Sequence, residues 1–136
     1  MIKQISHIGI AVRDLEKARE FYRSVFRLQP SEPIIGGGGE VKVSLVELGN
    51  TTIELLQPVG DKGAVAKFLE RRGEGIHHLC LEVDDINSEV EFLRASGVEV
   101  IGSPGPGAEG ISVFLHPKTT QGVLIELVQK EEAKPT

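Results

Sequence analysis

Two histidines and two glutamates stand out by type and spacing. His7 and His78 lie 71 positions apart, and Glu54 and Glu126 lie 72 apart. Glu126 is set in Gly122-Val-Leu-Ile-Glu-Leu-Val128 and Glu54 in Thr52-Ile-Glu-Leu-Leu56, each carboxylate between aliphatic neighbours. An isolated carboxylate in such surroundings is costly, and it either neutralises or acquires a partner. Taken singly, a histidine on a half-buried strand serves structure and a strand glutamate faces water. The shared spacing joins these four into a set. Two imidazoles and two carboxylates suit a divalent first-row metal with room for one or two waters. His77 adjoins His78 and so points to the opposite strand face, which gives it a structural or supporting role.

The spacing comes from an internal repeat. His7–Phe21 and His78–Phe92 share His, Val, Asp, Glu and Phe at five aligned positions. Ile53-Glu-Leu-Leu-Gln57 matches Ile125-Glu-Leu-Val-Gln129 at four of five. Each half must therefore build one strand, one helix and further strands around its own His and Glu. His7 to Val12 alternates, with Ile8, Ile10 and Val12 on one face and His7, Gly9 and Ala11 on the other. Asp14 is placed to cap a helix whose apolar positions are Leu15, Ala18, Phe21, Tyr22, Val25 and Phe26. After a loose segment, strands 41–48 and 51–57 flank the two-residue turn Gly49-Asn50. In the second half, 76–83 is a strand and Asp85 caps a helix that stops before Gly97. Strands over 98–101, 111–116 and 122–129 follow, and a short helix over 64–72, stopped by Gly73, joins the halves. Residues 131–136 read as a frayed polar tail. Gly36–Gly39 lacks the Lys-Ser/Thr of a phosphate loop, leaving a flexible connection or a mobile flap. Gly102–Gly110 reads as a second loop, one that could line a substrate entrance.

Composition narrows the functional classes. The 136 residues correspond to one domain at about 100–200 residues per domain. With 15 basic and 20 acidic residues, the net charge of −5 argues against a nucleic-acid partner. No stretch approaches the roughly 20 apolar residues of a membrane span. Cys80 is the single cysteine, which excludes a disulfide framework. The N-terminal run carries no signal-peptide pattern, and a cytoplasmic location is expected.

The motif His7-Ile-Gly-Ile-Ala-Val with Glu20-Phe-Tyr22 resembles the vicinal oxygen chelate superfamily, which includes glyoxalase I, extradiol dioxygenases and antibiotic-resistance proteins. Three longer motifs resemble its methylmalonyl-CoA epimerase family: Leu48–Pro58, Gly73-Glu-Gly-Ile-His-His78, and Phe114-Leu-His-Pro-Lys118 followed by Gly122–Glu126. The resemblance covers residues 5 to 129. It implies an α+β fold of two paired βαβββ modules, residues 5–58 and 76–129, forming a curved eight-stranded metal-binding cup. The whole chain, 1–136, is then a single glyoxalase-like domain. It further implies metal ligation by His7, Glu54, His78 and Glu126, a divalent ion (cobalt first, with nickel, manganese or zinc as alternatives), an acyl-CoA thioester partner and a homodimer.

The implied reaction interconverts (R)- and (S)-methylmalonyl-CoA through removal of the α-proton, a metal-stabilised enolate and reprotonation from the other face. Glu126 is the first candidate base. Some relatives carry a second catalytic carboxylate on the strand Val41-Lys-Val43, at the position of Lys42. The lysine here leaves Lys42 or Glu54 as the second acid/base, with a solvated strand lysine or a phosphate contact as the alternative for Lys42. Lys118 is a candidate contact to the CoA moiety, while Arg71 and Arg72 read as solvated helix charges. Two alternatives stay open: glyoxalase I, which uses the same ligand set on a glutathione hemithioacetal, and a non-catalytic small-molecule binder.

Overall fold

The computed structural model describes residues 1–107 and 109–131. The expected polar tail lies outside the described residues from position 132 onward, and so does Ala108 of the second glycine-rich stretch. Among the described residues there are eight strands and three α-helices, an α+β arrangement. They are β1 (Ile2–Ala11), α1 (Leu15–Ser24), β2 (Ile34–Gly36), β3 (Val41–Glu47), β4 (Thr52–Pro58), α2 (Ala64–Arg72), β5 (Gly75–Val83), α3 (Ile86–Ala95), β6 (Val100–Pro106), β7 (Gly110–Leu115) and β8 (Ile125–Lys130). The chain separates into two compact units, one of residues His7–His77 and one joining Met1–Ser6 to the segment from His78 onward.

Both units repeat one topology. In the first, β2, β3 and β4 pair antiparallel in sequence, and β4 returns to lie parallel to β1. In the second, β6, β7 and β8 do the same and β8 lies parallel to β5. A parallel return needs a crossover, which α1 and α3 begin. Both helices start at the expected aspartates: Asp14 Oδ1 accepts from the Lys17 amide at 3.1 Å and Asp85 Oδ1 from the Ser88 amide at 3.2 Å. Each first helical amide then finds a repeat-related glutamine. Leu15 N–H donates to Gln57 Oε1 at 2.8 Å, and Ile86 N–H donates to Gln129 Oε1 at 2.9 Å. A helix has no partner of its own for these amides, so a side chain from the last strand of each half supplies one.

Each unit has its own core. In the first, Val12, Leu15, Val46 and Leu55 are buried, with Ile10, Ala18, Tyr22 and Ile53 packed against them. In the second, Val83, Ile86, Val90, Val113, Leu115 and Leu127 are buried, with Leu81 and Ile125 alongside. The helical stripe of α1 departs from expectation. Phe21, Val25 and Phe26 are exposed: Phe21 lies on the solvent side of α1, and Val25 and Phe26 lie beyond its end at Ser24. Phe21 and Phe26 instead form a surface cluster of edge-to-face rings with Tyr22, with centroids 5.1–6.1 Å apart. Arg19, one turn beyond Leu15, is buried in their place. Its Nε donates to the Ser31 carbonyl at 3.1 Å, and its Nη1 donates to both Glu16 oxygens.

Both glycine-rich segments contain regular structure among the described residues. Residues 34–36 pair with β3, and Gly37–Gly39 make a tight 3-10 turn with φ of 57°, 67° and 93°. Only glycine adopts three such left-handed values in a row without strain. The 102–110 stretch mostly continues β6, with a register shift between Ile101 and Gly105 before pairing resumes at Ser112 and Ile111. The strand starts that move by more than one residue are β1 at Ile2, β6 at Val100 and β8 at Ile125.

Glu82 on β5 is a buried carboxylate that the sequence reading passed over. Lys3 Nζ and Lys130 Nζ each lie 3.3 Å from it, and Gln4 Nε2 donates at 3.3 Å. Burial pushes its carboxyl up, but the contacts to Gln4, Lys130 and Lys3 outweigh this and hold it below the ordinary value of 4.5.

Two outcomes are expected in urea unfolding. Gln57→Ala and Gln129→Ala should each cost about 1–2 kcal/mol, since a helix-end amide loses its acceptor. Glu82→Gln should be less stable than wild type at pH 7. A carboxyl whose folded value is depressed stabilises the fold above its unfolded value, so the gap should narrow as the pH falls below 4.5.

Candidate functional site

In the first unit the strand pleat decides which side chains meet. Ile53 and Leu55 of β4 face the α1 core, so Glu54 between them faces the other way. On β1, Ile10 packs in that core, which sends His7 and Gly9 to the Glu54 side. Parallel pairing sets Gly9 beside Glu54. His7 Nδ1 then stands 3.4 Å from Glu54 Oε2, with the two side chains only 5% and 15% exposed.

The second unit does the same with the repeat-related residues. Leu81 and Val83 of β5, and Ile125 and Leu127 of β8, belong to the α3 core. His78, Cys80 and Glu126 therefore share the opposite face, and Cys80 is the register partner of Glu126. His78 Nε2 stands 3.4 Å from Glu126 Oε1, with side chains 7% and 15% exposed. On the same face, Phe114 of β7 is the cross-strand partner of Glu126 and meets the His78 ring edge-on. Cys80, the single cysteine of the sequence, is fully buried.

A separation of 3.4 Å is longer than a good nitrogen–oxygen hydrogen bond. It equals the spacing of two donors about 2.1 Å from one cation in tetrahedral array, roughly 3.4 Å. Each half thus presents an imidazole nitrogen and a carboxylate oxygen, little solvated, at a distance a divalent ion would bridge. Residues with metal-ligating chemistry are present in both halves.

The other candidates fall elsewhere. Lys42 pairs across β3–β4 with Gln57, and it alternates with Ser44 and Val46 on the side of the α1 core. It is thus on the opposite face of β3 from Leu45, the register partner of Glu54. His77 meets the Phe68 ring edge-on at 5.2 Å, in keeping with a structural role. Arg72 lies over Phe68 at 5.9 Å. Lys118 sits on a 3-10 turn, Pro117–Thr119, that His116 caps by accepting from the Lys118 amide at 3.1 Å. Its Nζ lies 2.9 Å from Glu99 Oε2, and this contact holds the Glu99 carboxyl below the usual range. Phe114 and Cys80 escaped the sequence reading because only the strand register reveals who stands beside Glu126.

Residues 6–115 match the model of the glyoxalase/bleomycin resistance protein/dioxygenase superfamily. The chain is 44% identical over 132 residues to the mitochondrial methylmalonyl-CoA epimerase of Dictyostelium discoideum, covering 95% of this chain and 80% of that one. It is 43% identical over 133 residues to the ethylmalonyl-CoA/methylmalonyl-CoA epimerase of Cereibacter sphaeroides, covering 95% and 99%. A variant of the Streptomyces coelicolor methylmalonyl-CoA epimerase, solved in complex with 2-nitronate-propionyl-CoA, superposes with a TM-score of 0.89 at 32% identity, covering 97% of this chain and 100% of that one. By fold, by repeat and by these relatives, the chain belongs to the glyoxalase/bleomycin resistance protein/dioxygenase superfamily and, within it, to the methylmalonyl-CoA epimerase family of isomerases.

Proposed function

We propose that this chain interconverts the two epimers of 2-methylmalonyl-CoA, with His7, Glu54, His78 and Glu126 as the ligands of one divalent cation. The observation that carries this reading is the duplicated pair. Each half brings one imidazole and one carboxylate to 3.4 Å on the side of the strands away from its helical core. The donor set of two neutral nitrogens and two carboxylates fits cobalt, nickel, manganese or zinc. A divalent ion held there would polarise the thioester carbonyl and offset the charge that develops as the α-proton leaves, worth several kcal/mol.

The α-carbon of this substrate lies between a thioester and a carboxylate, and the epimers differ only in which face bears the proton. Glu126 takes that proton onto a carboxylate oxygen from one face. Glu54, entering the cycle in its protonated form, returns its proton to the other face, as its symmetric position in the repeat suggests, and proton exchange with water then resets the two glutamates. One proton leaves and one arrives, so neither an oxidant nor a second substrate is needed. Lys42, on the core side of β3, is not given a part. The low exposure of both carboxylates favours the task, since water next to an ionised base would compete for the proton. CoA phosphates require local positive charge on a chain of net charge −5. Lys118, exposed on its capped turn, supplies part of it by exchanging Glu99 for phosphate.

Exchange of the α-proton of methylmalonyl-CoA with deuterated water, followed by NMR, tests the reading. The protein should catalyse exchange, lose it on dialysis against a chelator and recover it with Co²⁺. Glu126→Gln should lower the rate by about 10²–10⁴-fold. Near-normal exchange by that variant would exclude Glu126 as the base. Turnover of a glutathione hemithioacetal without any exchange on methylmalonyl-CoA would replace the epimerase by a glyoxalase. Lys118→Ala should raise KM for the acyl-CoA by about two- to fivefold and leave kcat unchanged.

A further inference from the structure

The repeat conserves its ligands but not their neighbours. Glu54 has Gly9 on one side and Leu45 on the other, so one flank carries no side chain and the other an aliphatic one. Glu126 has Cys80 and Phe114 in the corresponding places. Phe114 also touches the second ligand of its half. Its ring stands edge-on to the His78 imidazole, with centroids 5.8 Å apart and planes at 82°. A single half-buried aromatic thus borders both polar groups of the second half, whereas the cross-strand partner of Glu54 in the corresponding place is the aliphatic Leu45.

We infer that Phe114 is a positioning residue: its ring fixes the orientation of the His78 imidazole and confines the Glu126 carboxylate, and this sets the two repeat-related glutamates unequal tasks. The assignment rests on the function proposed above. The physical argument has two parts. An edge-to-face contact restricts rotation of the imidazole about its Cβ–Cγ bond, so the metal-facing nitrogen is held in place before any ion arrives. A bulky ring across the strand pair also limits the rotamers open to Glu126, whereas the missing side chain at Gly9 leaves Glu54 more room. A base that must reach one hydrogen atom gains from such confinement, and a carboxylate that returns a proton to the opposite face gains from freedom.

Replacing Phe114 by leucine gives the second half the neighbour the first half already has. Three quantities are read for wild type, Phe114→Leu and Phe114→Tyr: kcat and KM for α-proton exchange, the calorimetric Kd of the metal-free protein for Mn²⁺, and the melting temperature. Phe114→Leu should lower kcat about tenfold at nearly constant KM and weaken Mn²⁺ binding about three- to tenfold. Phe114→Tyr keeps the ring and should restore both to within about twofold of wild type. A leucine variant with a lower melting temperature but unchanged kcat and Kd would overturn the inference, because its ring would then serve packing only. If Phe114→Leu fails to fold, Phe114→Met removes the ring at similar volume and carries the same test. Absence of exchange by the wild type would overturn the epimerase reading and the division of labour between the glutamates. The Mn²⁺ measurement would then still decide whether Phe114 positions His78.

Discussion

A carboxylate set among aliphatic residues of a strand must find something to hold, and in this chain each one finds an imidazole on the neighbouring parallel strand. That constraint organises both halves. The strand bearing the histidine has to lie directly beside the strand bearing the glutamate, although more than forty residues separate them. A parallel neighbour is reached only by crossing over, so a helix has to follow the first strand and two hairpin-linked strands have to bring the chain back. The βαβββ order is the connection that delivers His7 to Glu54 and His78 to Glu126.

The glutamines at the ends of the Ile-Glu-Leu motifs bind this arrangement together. Gln57 lies three residues beyond Glu54 and Gln129 three beyond Glu126, so each is on the opposite strand face from its glutamate and reaches the first turn of its helix. The last strand of each half therefore does two things with alternating side chains. One face presents the glutamate and the other receives the helix. Displacing the strand by one residue would exchange the two faces and abolish both.

Much of this was legible in the sequence because it is periodic and local. The alternation after His7, the capping aspartates 14 and 85, the Gly49-Asn50 turn and the helix over 64–72 all depend on neighbours within a few residues. The missed features depend on partners far along the chain. Arg19 is buried because its guanidinium meets the Ser31 carbonyl, a partner outside its own helix. Lys42 resembles a catalytic candidate by position, and only the pairing with Gln57 reveals which face it occupies. The 102–110 stretch looks like a loop because glycine and proline are abundant, yet a register shift lets β6 accommodate them and continue. The role of the paired glutamates rests on the repeat itself, and their neighbours Phe114, Leu45, Cys80 and Gly9 emerge only with the register.

The strand Ile2–Ala11 contributes to both compact units, with Met1–Ser6 belonging to the unit whose remaining residues begin at His78. Lys3 and Gln4 meet Glu82 across some eighty residues of chain. That unit therefore cannot mature as a contiguous stretch. Its first strand leaves the ribosome early and must wait until the second half is synthesised, and the intervening loop adds an entropic barrier before those contacts repay it. Synthesis order thus favours the His7–His77 unit forming first, and completion of the other is set by a long-range closure.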